Sequence, residues 1–179
     1  MACNLEQLGP IGFQDLAAAL VVQTFGAGVQ VMGAGRDGGR DLYHKGPLIW
    51  QKTDAQAGEL WDGYTVFQVK HKKRLSSRPE EDATWLWGQV RDELDTWADP
   101  SSGRDPVPDH LVFITNVPLT PVPHSGGHDQ LNKAMKDYLG ASRTLVAMSV
   151  KVTNGRRSWP ASPGSVSGVF GTATRFRRC

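Results

Sequence analysis

The residues most able to do chemistry in this chain are an aspartate at the start of one strand and a Gln-x-Lys at the end of another. The first lies in GAGRDGGRDLYH, residues 33–44, and the second in YTVFQVKHKK, residues 64–73. Side chains alternate faces along an extended strand, so Gln68 and Lys70 point one way and Val69 the other. If the strand begun by Asp41 pairs beside the one ending at Lys70, then Asp41, Gln68 and Lys70 converge on one point. A carboxylate, an amide oxygen and a fixed ammonium suit hydrolysis of a phosphodiester, which needs a positioned water and stabilisation of developing negative charge. Magnesium takes oxygen ligands and keeps several waters. Asp41, Gln68 and the main-chain carbonyl of Val69 are therefore the expected ligands, with manganese as a substitute ion, and Lys70 orients the attacking water. Gly38 and Gly39 allow a tight turn just before Asp41. Each feature alone is ordinary, since an aspartate beside glycines usually shapes a turn and a lysine at a strand end is usually solvated. The specificity lies in the combination.

These residues must be held by surrounding elements, and hydrophobic periodicity supplies them. Phe13, Leu16, Ala17, Leu20 and Val21 are at helical spacing within residues 11–25, with Gly26 to stop the helix. Short strands are expected over 29–32 and 40–44, a loop or hairpin excursion over 45–63, and a clear strand over 64–70. Leu86, Val90, Leu94 and Trp97 mark a second helix over 81–97, and residues 101–108 read as a loop. HLVFITN, residues 110–116, is a nearly continuous apolar run suited to a central strand covered on both faces. Leu131, Ala134, Met135, Tyr138 and Leu139 mark a third helix closed by Gly140, and residues 144–152 a last strand. Helix, strands, helix, strand, helix, strand predicts an α/β sandwich around a mixed central sheet.

The 179 residues suffice for one well-buried domain, expected over 1–152. From Thr153 onward there is no Asp, Glu or Lys, while Gly, Ser, Pro, Thr and Arg dominate. Such a composition buries too little apolar surface to offset its ordering entropy, so 153–179 is expected to be a disordered tail or truncated linker. The net charge of +2 excludes nothing about partners. Cys3 and Cys179, near opposite termini, supply no disulfide framework and point to a reducing compartment. The apolar stretch 16–22 is short and has no basic segment before it, so no membrane partner and a cytoplasmic location are expected.

A basic run, His71, Lys72, Lys73 and Arg74, follows the Gln-x-Lys directly. It suits contacts to a phosphate backbone, and equally a solubilising strand exit. Arg36 and Arg40 flank the acidic turn, where they could contact phosphate or pair with Asp37. His44, His71, His110, His124 and His128 lack the local spacing of a zinc site. No phosphate-cradling loop motif occurs.

RDGGRDLY together with VFQVKHKK resembles the Mrr-like branch of the restriction-endonuclease superfamily, whose active site is a PD-(D/E)xK motif with glutamine often in the third place. The resemblance runs from the first helix to about residue 140 and includes HLVFITNVPLT as a later core strand. It implies a restriction-endonuclease-like sandwich and a magnesium-dependent endonuclease acting on duplex DNA. By this similarity Asp41, Gln68 and Lys70 form the catalytic triad, and Asp37 shapes the loop. The family often carries a glutamate after the phenylalanine of the first helix; here Phe13 is followed by Gln14 and Asp15, which become accessory groups. The interval from Asp41 to Gln68 is also longer than in compact members, implying an inserted loop near the site. Double-strand cleavage implies a homodimer or larger assembly. Similar architectures place such a domain before an antiviral signal-transduction ATPase, and the acid-free tail suits separation from such a partner. The rival readings are a catalytically silent nucleic-acid-binding or oligomerisation module of the same fold, and a branched-DNA resolvase or RNA nuclease using the same triad.

Overall fold

The computed structural model describes residues 4–33, 40–50, 58–120, 126–142, 144–145 and 148–153. A short 3-10 turn, Leu5–Leu8, leads into helix α1, Gly9–Phe25, which has Pro10 in its first turn and ends where the Gly26 N–H donates to the Val22 carbonyl. Three strands of an antiparallel meander follow in the main sheet: β1, Gln30–Val31; β2, Leu42–Lys45; and β5, Tyr64–Lys70. Between β2 and β5 the chain forms a separate hairpin of β3, Leu48–Trp50, and β4, Glu59–Trp61, so the expected excursion is a hairpin. Helix α2, Pro79–Ala98, then crosses to β6, His110–Thr115, and helix α3, Gly127–Ala141, crosses to β7, Ser149–Thr153.

The five-stranded sheet has the order β1-β2-β5-β6-β7, antiparallel up to β5 and parallel from β5 onward. This is the mixed sheet with helices expected from the pattern of elements. Because β5, β6 and β7 step across the sheet in one direction, right-handed crossovers put α2 and α3 on the same face. There Leu86, Val90, Leu94 and Trp97 of α2 and Leu131 and Met135 of α3 bury against Val66, Leu111 and Phe113. The opposite face, with Leu42, Phe67, Val112 and Ile114, is covered by Phe13, Ala17 and Val21 of α1 and by Leu48 and Trp61 of the hairpin. β6 therefore contributes to both clusters, which is why its sequence shows no polar alternation.

Some boundaries differ from the periodicity. α2 starts at Pro79, with Glu80, Glu81 and Asp82 in the first turn, where acidic groups favour the positive end of the helix dipole. Gly140 lies inside α3, which ends at Ala141 and is capped by Ser142, whose N–H donates to the Leu139 carbonyl. β7 begins at Ser149 rather than 144 and reaches Thr153, one residue beyond the expected domain limit. Residues 154–179, Cys3 and the turn at 34–39 lie outside the described residues. Leu5–Phe25 has the length and mean hydropathy, 1.2, of a membrane-crossing helix, which the shorter stretch read from sequence did not suggest. One side of it packs on the sheet through Phe13, Ala17 and Val21.

The turn into β5 depends on a glycine. Gly63 has φ of 111°, and a side chain there would collide with the Asp109 carboxylate. That carboxylate accepts from the Tyr64 N–H at 2.8 Å while the Asp109 N–H donates to the Tyr64 carbonyl at 2.9 Å. These two bonds fix the start of the β5–β6 register, and hence which residues reach its far end.

Candidate active site

Register brings the motif together. Leu42 pairs with Phe67, so Asp41, one step outward, falls opposite Gln68. Phe67 buries on the α1 face, which turns Gln68 and Lys70 toward the α2 face, and Asp41 lies just before β2. The carboxylate of Asp41 is drawn onto β5: its Oδ2 accepts from the Val69 N–H at 2.6 Å. Its carbonyl accepts from the Met32 N–H at 2.9 Å, tying β1 to the same point. Gln68 is 3% exposed, an unusual position for an amide side chain and one that fixes where it can reach. Val69 packs its side chain against the cluster on the α1 side of the sheet.

Lys70 is where sequence reasoning was incomplete. Its Nζ donates to Glu93 Oε1 of α2 at 2.6 Å, and the two side chains are only 17% and 15% exposed. The other oxygen of Glu93 accepts from Arg104 Nη1, and the Arg104 guanidinium lies over the Trp97 ring at 5.4 Å. Burial pushes the Glu93 carboxyl up, but hydrogen bonds from Arg104 and Lys70 outweigh it and hold the group below its ordinary range. The signal for Glu93 was present: at i+3 from Val90 and i−4 from Trp97, it is a charge in the seam of an otherwise apolar stripe.

The chain leaving β5 is clamped. Asn116 accepts from the Lys72 N–H at 2.8 Å and donates to the Lys72 carbonyl at 2.9 Å. Lys72, read as a phosphate contact, directs its ammonium to Asp82 at 2.6 Å and over the Trp85 ring at 5.5 Å. Asp82 is 1% exposed, so this ammonium balances a buried charge. His71 bonds through Nε2 to the Leu5 carbonyl and its ring lies tilted at 45° beside Phe13, fastening the N-terminal turn. Lys73 and Arg74 are exposed and remain available to a polyanion. Arg40 donates to the Tyr64 hydroxyl at 3.3 Å and lies over the Tyr43 ring at 5.9 Å, both tyrosines packing on the α2 side of the sheet.

Gln14 and Asp15 belong to α1 and so start on the other side of β5 from Gln68 and Lys70; Asp15 is exposed. An accessory role would require either to reach around the sheet end. Arg36, Asp37, Gly38 and Gly39 lie outside the described residues. Among the described residues no three His, Cys, Asp or Glu side chains gather into a metal-binding group. A Gln-x-Lys site would contain a single carboxylate, and its other donors, an amide and a main-chain carbonyl, are also oxygen, the donor chemistry that magnesium takes.

β5 and β6 end here, at the point where the sheet changes from antiparallel to parallel. Comparison with known proteins gives no match: no family model, no curated protein and no solved structure is significantly similar to this chain.

Proposed function

We propose that this chain is a restriction-endonuclease-like domain that hydrolyses phosphodiester bonds in DNA with magnesium. The observation that carries the reading is the fastening of the Asp41 carboxylate to the backbone of the Gln-x-Lys strand, 2.6 Å from the N–H of Val69, the residue between Gln68 and Lys70. Asp41, Gln68 and the Val69 carbonyl would hold the ion. When bound, magnesium would polarise the phosphate and lower the pKa of a coordinated water. Lys70 would orient the attacking water and offset the charge that develops on the phosphate. Arg40, Lys73 and Arg74 would contact backbone phosphates, which position a duplex without reading its sequence. Cleavage of both strands would take two such sites and hence a second copy. A role in antiviral defence beside a fused or associated ATPase rests on the sequence resemblance alone.

Supercoiled plasmid in magnesium buffer tests this. The chain should nick it, and Asp41→Asn and Lys70→Ala should each reduce the rate by about a hundredfold or more while leaving the melting temperature within a few degrees. Nicking by Lys70→Ala at the parent rate would refute the assignment.

A second reading, a nucleic-acid-binding module without catalysis, has a specific observation in its favour. The two charged members of the motif already have partners, Asp41 in the Val69 N–H and Lys70 in Glu93. It predicts salt-dependent DNA binding that magnesium leaves unchanged.

A further inference from the structure

We infer that Glu93 is a positioning residue that fixes the Lys70 ammonium beside Gln68, with Arg104 holding Glu93 from its other oxygen. The inference rests on the nuclease reading and deepens it. Lysine carries its charge on a flexible four-carbon stem, so a catalytic ammonium at a strand end gains from a fixed partner. That partner stands on a rigid support. α2 is locked to the sheet by Val90, Leu94 and Trp97, on either side of Glu93 in sequence, and Trp97 also carries the Arg104 guanidinium.

Charge explains why a carboxylate can stand here without defeating the chemistry. Alone, Glu93 would cancel Lys70 and repel a phosphate. With Arg104 on its second oxygen, the group of three carries a net single positive charge. Glu93 therefore orients Lys70 while the site stays attractive to an anion. The loop at 101–108 acquires a purpose as well, since it delivers Arg104 to the end of the β5 strand. Taking these charges out of water costs much of what their attraction returns, so the ion pairs are weak evidence for a stabilising role. Two cations gathered on one carboxylate at the end of β5 are more economically explained by orientation.

The test compares the full chain with Glu93→Gln, Glu93→Asp and Arg104→Gln, using two independent readouts. The first is acylation of lysines by a water-soluble amine reagent without DNA, quantified by mass spectrometry against exposed Lys133 as internal reference. Glu93→Gln should raise Lys70 labelling several-fold, and Glu93→Asp should restore part of the protection. Labelling of Lys70 that matches the parent in both Glu93→Gln and Arg104→Gln would overturn the inference. The second readout is steady-state plasmid cleavage, where Glu93→Gln should lower kcat about ten- to a hundredfold with KM for DNA little changed. A rise in kcat would overturn the inference by showing that Glu93 restrains Lys70. A purely structural role would lower the melting temperature without this division between kcat and KM. Should Glu93→Gln not fold, Arg104→Gln carries both readouts in the same direction with smaller amplitude. A parent chain that cleaves nothing defeats the nuclease reading, while the labelling result still decides whether Glu93 fixes Lys70.

Discussion

Asp41 and Glu93 show how two carboxylates in one region acquire different tasks from their surroundings. Asp41 is half-buried and its Oδ2 accepts from the Val69 main-chain N–H at 2.6 Å, whereas Glu93 sits between two cations. The ionised form of Glu93 is favoured in the fold, so it binds its proton less readily than in the unfolded chain. Its contribution to stability is complete above the ordinary glutamate value of 4.5 and is lost as the pH falls through its lower folded value. Acid melts of the parent should therefore lose stability more steeply below about pH 5 than those of Glu93→Gln, and parallel curves would show that the carboxylate contributes nothing. At this scale the sequence was partly legible. Asp41, Gln68 and Lys70 stood out because their types and alternation declare a shared face. Glu93 showed only as a charge in an apolar seam, and its partners, like those of Arg104 and Asn116, are tertiary contacts that no local period encodes.

The elements follow from the spacing of apolar residues wherever a stripe or run is long. β5, β6 and α2 were legible for that reason, and the 45–63 segment, with too short a pattern, showed only that something left the sheet. Its hairpin is explained by Trp61, which stacks on His110 with ring centres 4.6 Å apart and lies beneath the Lys151 ammonium at 5.1 Å. The start of α2 shifted because Pro79 and three acidic residues suit a first turn, and one of those acids is an internal anchor. Asp82 accepts from Lys72 Nζ and from the Ser76 N–H, tying the exit of β5 to α2. Asp82→Ala would leave the Lys72 ammonium half-buried without its partner, and should cost about 3 kcal/mol in urea unfolding. A change below about 1 kcal/mol would mean that solvent replaces the contact. Gly63→Ala should also destabilise the chain, because it forces both an unfavourable φ and a displacement of Asp109.

As a whole the molecule is a mixed sheet covered on both faces, with its polar motif at the carboxyl end of the parallel strands. The architecture was legible in the order of elements, because a strand–helix–strand alternation leaves few topologies open. What it binds is less so, since a net charge of +2 carries no preference and the basic run divides between uses. Lys72 serves the fold, while Lys73 and Arg74 face solvent. Replacing Lys73 or Arg74 with alanine should lower duplex affinity equally for all sequences and reduce the slope of log K against log salt by about one. An unchanged slope would put the DNA on another surface. The central claim, that Asp41 and Gln68 share one ion, is tested most directly by titrating manganese into the chain and following the free ion by electron paramagnetic resonance. The account predicts one ion per chain, abolished by Asp41→Asn and weakened by Gln68→Ala; equal uptake by the parent and Asp41→Asn would contradict it.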